Sequence, residues 1–187
     1  MRKAENNMGL FLDVALLNGC NKDTAEQALK SWCAAKPKSR IVPSDCQLEE
    51  QSKGTVIIFN DDDCFEAQEF CITFSKEHGM VAMHLYIYDG DFWGYYLYKN
   101  GEEIDCFSPI PDYFEDIDEQ EWERQKGNSN ILAKEYSICS KDIERYLVTW
   151  DEDDNGEDKA YPDDEYGHID WQMVDFMKKL GYHYFLE

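Results

Sequence analysis

The chain has 187 residues, of which 40 are acidic and 18 basic, so that its formal charge is -22. An electrostatic field of this size repels nucleic acid and anionic membranes and accelerates encounter with basic partners. Disordered acidic chains are poor in aromatic residues, whereas this one contains 5 Trp, 12 Tyr and 10 Phe, which predicts a folded protein.

The acidic excess is uneven along the chain. Residues 1–100 contain 15 acidic and 10 basic side chains, while residues 101–187 contain 25 and 8. We therefore expect one domain, 1–187, made of a sheet core in 1–108 and an acidic helical layer in 109–187 that packs on it. The apolar run Leu10–Leu17 is short and interrupted by Asp13, which argues against a signal peptide or a membrane span. The chain has 7 cysteines and no C-x-x-C pair, which favours reduced thiols in a cytoplasmic protein.

The first half alternates strand and helix patterns. Leu10–Leu17 predicts a strand, and Asp23 with Glu26 has the spacing of a helix-capping box. Two strands and a second helix, capped by Asp63, follow, and then a strand over Met80–Tyr88. The order β-α-β-β-α-β is typical of a ferredoxin-like split sandwich, so the predicted class is α+β.

A β-hairpin is expected to extend this sheet. Asn100-Gly101 separates the strands Phe92–Lys99 and Glu102–Ser108, and this dipeptide is a strong hairpin signal. A regular two-residue turn would pair Leu97 with Ile104. It would also place Tyr96, Tyr98, Asp105 and Phe107 on one face.

That face would be rich in aromatic and acidic side chains, because His84, Tyr86 and Tyr88 alternate on the neighbouring strand. We favour packing under the C-terminal helices for most of these residues. The alternative is a binding surface, since Tyr is enriched in interface hot spots and carboxylates suit Lys or Arg anchors.

The second half predicts helices in acidic loops. Candidate helices are Glu119–Gln125, Ile131–Tyr136, Lys141–Trp150 and His168–Leu180. The acidic loop 151–167 is too long for a simple connector. Carboxylates of Glu115–Glu123 and Asp151–Glu165 would pair with basic residues of a partner.

Two patterns could bind a divalent metal ion. Asp61-Asp62-Asp63 and Asp89-Gly90-Asp91 each follow a strand, where carboxylates can hold Mg²⁺ for phosphoryl chemistry. Asp151, Asp153 and Asn155 begin a calcium-loop pattern, but Pro162 stands where that loop needs a Glu. Helix capping by Asp63 and solvated acidic loops are the preferred explanation of these residues, and no cofactor is expected.

Motifs around the hairpin resemble a widespread bacterial family of uncharacterised proteins. The similarity covers roughly residues 80–181, and its motifs are a D-x-D-x-W core, a Y-x-L strand, a Gly turn, an Asp-x-aromatic pair and a Pro-Asp-Tyr-Phe corner at 111–114. Gly90 departs from the family pattern, which commonly has Ser there. The resemblance implies a small accessory or immunity protein of a bacterial toxin system.

We therefore predict a cytoplasmic protein-binding module, of the immunity type, that blocks a basic partner such as a toxin by occlusion, without binding nucleic acid or membrane. The alternatives are a metal-dependent hydrolase or phosphotransferase, and a DNA mimic that titrates nucleic-acid-binding proteins. The candidate contact residues are Asp89, Asp91, Trp93, Tyr96, Tyr98, Asp105, Asp112, Tyr113, Glu119 and Glu121.

Overall fold

The structure is a computed structural model that describes residues 9–59, 64–150 and 158–186. Its centre is a six-stranded antiparallel sheet in the order β2-β3-β1-β4-β5-β6. The strands are β1 (Leu12–Asn18), β2 (Gln47–Gln51), β3 (Gly54–Phe59), β4 (Val81–Tyr88), β5 (Phe92–Lys99) and β6 (Glu102–Phe107). The helices are α1 (Lys22–Ala35), α2 (Cys64–His78), α3 (Glu119–Arg124), α4 (Ser129–Tyr136) and α5 (Gln172–Leu180).

The predicted α+β class is confirmed. Strands β1 to β4 and helices α1 and α2 follow the predicted element order, and β1 lies between β3 and β4, antiparallel to both. The predicted cap of α1 is wrong: Asn21, two residues before Asp23, accepts the Thr24 amide at 2.9 Å and starts the helix. The predicted cap of α2, Asp63, lies outside the described residues.

Both faces of the sheet are covered, and strand periodicity sorts the side chains between them. One face packs against α1 and α2 through Ala15, Leu17, Ile57, Phe59, Ala82 and Tyr98. The other packs against the C-terminal half through Val14, Leu16, Met83, Leu85, Trp93, Tyr95, Leu97 and Phe107. This two-sided burial explains why β1 and β3 are apolar at nearly every position.

The hairpin strands form as predicted, but their register differs. The ladder shifts between Leu97 and Tyr98, so that Leu97 faces Asp105 and Ile104 is the extra residue of a β-bulge. Beyond the bulge every side chain changes face. Asp105 and Phe107 therefore lie on the face that the C-terminal half covers, and the predicted lattice of tyrosines and acids does not include them.

The bulge gives Asp105 a partly buried environment. The Tyr95 hydroxyl donates to its Oδ2 at 2.7 Å, and the Asn128 amide donates to the same oxygen at 3.0 Å. Burial raises the pKa of Asp105 to about 6, against the opposing effect of these two hydrogen bonds. Between pH 3.8, the ordinary pKa of this carboxyl, and about pH 6, the folded chain thus binds more protons than the unfolded chain.

Asp105 is expected to make the fold less stable as pH rises through this window. Asp105→Asn retains an oxygen for both hydrogen bonds and carries no charge, so it should be more stable than wild type near pH 7 by roughly 1–3 kcal/mol. The advantage should vanish below about pH 3, where the carboxyl is protonated in both states. Urea unfolding of both proteins across this pH range measures it, and a pH-independent difference would contradict the assignment.

The C-terminal half is less helical than predicted. Two short 3₁₀ turns, Ser140–Asp142 and Glu144–Tyr146, replace the helix expected over Lys141–Trp150. Tyr146 is buried there, and its hydroxyl donates to Asp164 at 2.6 Å. The chain thus exchanges helical hydrogen bonds for tertiary contacts. Helix α5 packs Phe176 against Trp93 and Tyr95, with ring centroids 4.8 and 5.5 Å apart.

Within the described ranges, every helix is too short or too polar to cross a lipid bilayer.

Candidate functional site

An open groove lined by aromatic rings lies on the α2 side of the sheet. It is formed by Phe65, Tyr86, Tyr88, Tyr96 and Phe114, and we call it the aromatic groove. Together with Gln68 and His84 these residues enclose about 340 Å³. A second depression of about 240 Å³ shares Tyr86, Tyr96 and Phe114 and extends towards α3. The groove therefore continues along the surface beyond a single pocket.

Strand geometry places the floor of the aromatic groove. His84, Tyr86 and Tyr88 are alternate residues of β4 and so point to one face. Tyr96 of β5 pairs directly with His84. The rings of His84 and Tyr96 are 6.3 Å apart and within 8° of parallel, and those of Tyr86 and Tyr96 are 5.8 Å apart. The floor is thus a row of stacked rings.

Gly94 makes room for this row. It pairs with Tyr86 across the β4–β5 ladder. A Cβ atom on Gly94 would lie 2.4 Å from the Tyr86 hydroxyl and 2.7 Å from the backbone oxygen of Phe107. The absence of a side chain at this position therefore lets Tyr86 lie across the neighbouring strand.

The walls of the groove are more exposed than its floor. Phe65, in the first turn of α2, is 72% exposed, and Phe114, in the loop after β6, is 67% exposed. The Phe114 ring meets Tyr88 edge-on, with centroids 4.9 Å apart at 88°. Tyr113 packs on the same aromatic cluster and donates its hydroxyl to Asp91, which raises the pKa of Tyr113 to about 12. Large exposed rings of this kind are typical of interaction surfaces.

Carboxylates surround the groove. Asp89 and Asp91 belong to the exposed turn that follows Tyr88, and Asp112, Glu115 and Asp116 are exposed on the loop that carries Phe114. Glu115 and Glu121 line the second depression. Among the described residues, the lining of these two depressions includes no lysine or arginine. An acidic rim around exposed aromatic rings is complementary to a basic partner.

A buried polar pair lies at the base of the aromatic groove. Asp13 and His84 are 2% and 1% exposed, and the His84 Nε2 atom lies 2.6 Å from Asp13 Oδ1. The His84 Nδ1 atom is buried and has no hydrogen-bond partner among the described residues. Such unsatisfied groups are uncommon in native proteins and need an explanation.

The predicted contact residues separate into two groups. The first group lies in or around the aromatic groove and consists of Asp89, Asp91, Tyr96, Asp112 and Tyr113. In α3, Glu119 is exposed, and the Glu121 carboxylate accepts hydrogen bonds from Arg124 and Gln125. Trp93 and Tyr98 are at most 3% exposed, and Asp105 accepts a hydrogen bond from Tyr95, so the structure places these three predicted contact residues away from the exposed surface of the groove. Most of the tyrosine row lies under α2 and the open groove instead of under the C-terminal helices.

The metal-site residues Asp61, Asp63, Asp151, Asp153 and Asn155 lie outside the described residues. Within the described part of the chain, no group of three potential metal ligands is found. The metal-dependent enzyme therefore stays a prediction from the sequence.

The sequence patterns did not identify Phe65, Gln68 and Phe114 as parts of the groove, and they did not identify the partner of Asp13. A signal was present in the sequence for Phe65 and for the buried partner of Asp13. Asp13 is a lone charge in an otherwise apolar strand, which requires a buried partner, and Phe65 falls outside the apolar face formed by Ala67, Phe70, Cys71 and Phe74.

A larger depression of about 560 Å³ lies between α1 and residues 42–48. Its lining mixes Lys22 and Lys30 with Glu26 and contains no aromatic ring. Its charges are of both signs and its lining offers no aromatic side chain as an anchor for a partner, so the aromatic groove is the stronger candidate site.

Comparisons of the chain with protein-family models, with curated proteins and with solved structures found no match. The family resemblance around residues 80–181 stays a prediction, and the candidate site rests on its geometry and charge.

Proposed function

We propose that this chain is a cytoplasmic binding module that captures a basic protein partner in its aromatic groove. The leading version is an immunity-type inhibitor that occludes a toxin. The observation that carries the proposal is the combination of Phe65 and Phe114, both mostly exposed, with a floor of half-buried tyrosines and a rim of carboxylates. Aromatic anchors commonly dominate binding energy, and surrounding charges set orientation and association rate.

The distribution of charge supports a basic partner. The second half of the chain, with 25 acidic and 8 basic side chains, contributes Phe114 and the carboxylates on its loop. Many carboxylates elsewhere are already paired, for example Glu135 with Lys99 at 2.8 Å and Asp163 with Lys179 at 2.9 Å. The acidic rim would therefore add attraction near the aromatic anchors, where partner contacts would form.

The proposal is tested by affinity capture from a lysate of the source organism at low salt. Wild type is compared with Phe65→Ala/Phe114→Ala and with the control Val148→Ala, which removes an exposed apolar side chain outside the groove. We expect wild type and control to capture the same basic protein. The double variant should lose it, since each aromatic anchor contributes about 2 kcal/mol, or about 30-fold in Kd.

Two results would contradict the proposal. One is the recovery of no basic protein at low salt, and the other is capture that the double variant leaves unchanged. The DNA-mimic alternative gives a different pattern: the captured protein would be displaced by duplex DNA, and its binding would depend on carboxylates and not on Phe65 or Phe114.

A further inference from the structure

The inner part of the aromatic groove has features that a general docking surface does not need. It is lined by Phe65, Tyr86, Tyr88, Tyr96 and Phe114, with the amide of Gln68 at one side. Gln68 is oriented by its hydrogen bond to the Tyr98 hydroxyl at 2.6 Å. The result is a preformed pocket with aromatic surfaces in more than one direction, since the rings of Tyr88 and Phe114 are perpendicular.

Aromatic pockets of this kind attract cations. The faces of aromatic rings carry partial negative charge and bind ammonium or guanidinium groups. Within the described chain, the residues that line this pocket include no positively charged side chain that would occupy it or repel a cation. A neutral ligand would fit the apolar walls but would gain nothing from the negative charge around them.

The Asp13–His84 pair strengthens the preference for a cation. Among the described residues, His84 is the side chain that hydrogen-bonds Asp13, at 2.6 Å. When neutral His84 donates Nε2–H to Asp13, the carboxylate retains its charge beneath the pocket. That charge acts through a region of low dielectric constant, where it is screened less than a surface charge.

The same tautomer leaves the Nδ1 lone pair of His84 unpartnered within the described chain. That atom is itself buried, so a bound cation would act on the pair through its charge and not through a hydrogen bond to Nδ1. Guanidinium suits an aromatic pocket above a buried carboxylate better than ammonium does. It is planar, more weakly hydrated, stacks on aromatic faces and has five N–H donors, whereas ammonium is a compact and strongly hydrated charge.

We infer that the aromatic groove takes an arginine side chain of the partner, with its guanidinium among Tyr86, Tyr88, Tyr96 and Phe114 above the Asp13–His84 pair. This inference rests on the proposed function for the identity of the partner, and the pocket chemistry can be tested without that partner. Arginine would be the central anchor, and the exposed carboxylates of the rim would guide the basic segment that carries it.

The test is a titration of the full chain with three small probes, followed by two-dimensional amide NMR. The probes are N-acetyl-arginine amide, its neutral and nearly isosteric citrulline analogue, and N-acetyl-lysine amide. We expect the arginine probe to bind at millimolar concentration and to shift resonances of residues 65–68, 84–88, 96 and 114. Its Kd should be lower than that of either other probe by at least about fivefold.

Three variants locate the effect. Phe114→Ala and Tyr96→Leu should each raise the Kd of the arginine probe by at least about threefold, because each removes a ring of the pocket. Asp13→Asn can keep a hydrogen bond to His84 but loses the charge, so it should weaken the arginine probe and leave the citrulline probe unchanged. Val148→Ala, outside the groove, should change neither probe. Circular dichroism of each variant verifies that the fold is retained.

The outcomes separate this inference from the proposed function. Equal binding of arginine and citrulline, equal binding of arginine and lysine, or no binding at these residues would each overturn the arginine assignment. If the arginine assignment fails while Phe65→Ala/Phe114→Ala still abolishes partner capture, the proposed function stands. Specific arginine binding without any basic partner in the capture experiment supports the pocket chemistry and contradicts the binding-module proposal.

Discussion

Replacing His84 with leucine is expected to destabilise the fold by about 3–5 kcal/mol. The substitution leaves the carboxylate of Asp13, which is 2% exposed, without its hydrogen-bond partner in the centre of the sheet. Loss of one partner from a buried pair is costly because the remaining charge has neither water nor a hydrogen-bond donor. Urea unfolding, followed by circular dichroism, gives the free energy of unfolding.

A double-mutant cycle tests whether the pair itself is responsible. Asp13→Val/His84→Leu replaces both polar groups with apolar side chains, and Val suits a central strand. Because buried polar pairs are often no more stabilising than apolar replacements, the double variant should recover most of the loss. Two results would contradict the role of the pair. One is a His84→Leu variant that loses less than about 1 kcal/mol of unfolding free energy, and the other is a double variant that loses the sum of both single changes.

Phe176→Ala is expected to cost about 3–5 kcal/mol and to destabilise the sheet together with the C-terminal half. Phe176 is fully buried and contacts Trp93 and Tyr95 of β5 and Tyr146 of the 3₁₀ region. Its removal leaves a cavity where the C-terminal half joins the sheet. Unfolding should remain a single transition, since the same core cluster includes residues of both halves.

Phe114→Ala is the matched control for this change. It removes the same side chain from a position that is 67% exposed, so its effect on stability should stay within about 0.5 kcal/mol. Thermal and urea unfolding of the two variants provide the comparison. Two results would show that the C-terminal half does not stabilise the sheet. One is an equal loss of unfolding free energy in the two variants, and the other is a Phe176→Ala protein that unfolds in two steps with the sheet transition unchanged.

The arrangement of the site also explains why removing charges one at a time should affect the proposed binding less than removing rings. Asp89, Asp112 and Glu115 are exposed, where solvent and salt screen each charge. Phe65 and Phe114 present the apolar area that binding would bury. Rim charges are thus expected to influence mainly the association rate, and the rings to influence the lifetime of the complex.

Local patterns predicted most of the first half of the fold because they act over a few residues. Asn100-Gly101 requires positive φ at both positions, observed at 54° and 83°, and this locates the hairpin turn. The bulge at Ile104 could not be predicted in the same way. Asp105 accepts hydrogen bonds from Tyr95 and from Asn128, and the latter belongs to a segment 23 residues further along the chain.

The helix predicted over Lys141–Trp150 failed for a related reason. Its local pattern permits a helix, but Tyr146 is buried in a core shared with Phe176, and its hydroxyl bonds to Asp164. Tertiary contacts therefore outweighed a modest helical preference. The same limit applies to the site: the alternation of His84, Tyr86 and Tyr88 predicted a shared face, but not which layer would cover it.

The amino-acid sequence by itself determined the α+β class, the order of the elements in the first half, the turn of the hairpin and the acidity of the second half. These depend on periodicity, turn chemistry and charge, which are properties of neighbouring residues. Only the tertiary structure decided that α2 leaves Tyr86, Tyr88 and Tyr96 half-buried, that Phe65 and Phe114 flank them, and that Asp13 pairs with His84 beneath. The two members of the buried pair are 71 positions apart in the chain. Their contact depends on side-chain packing across neighbouring strands, which the conformational preferences of nearby residues do not determine.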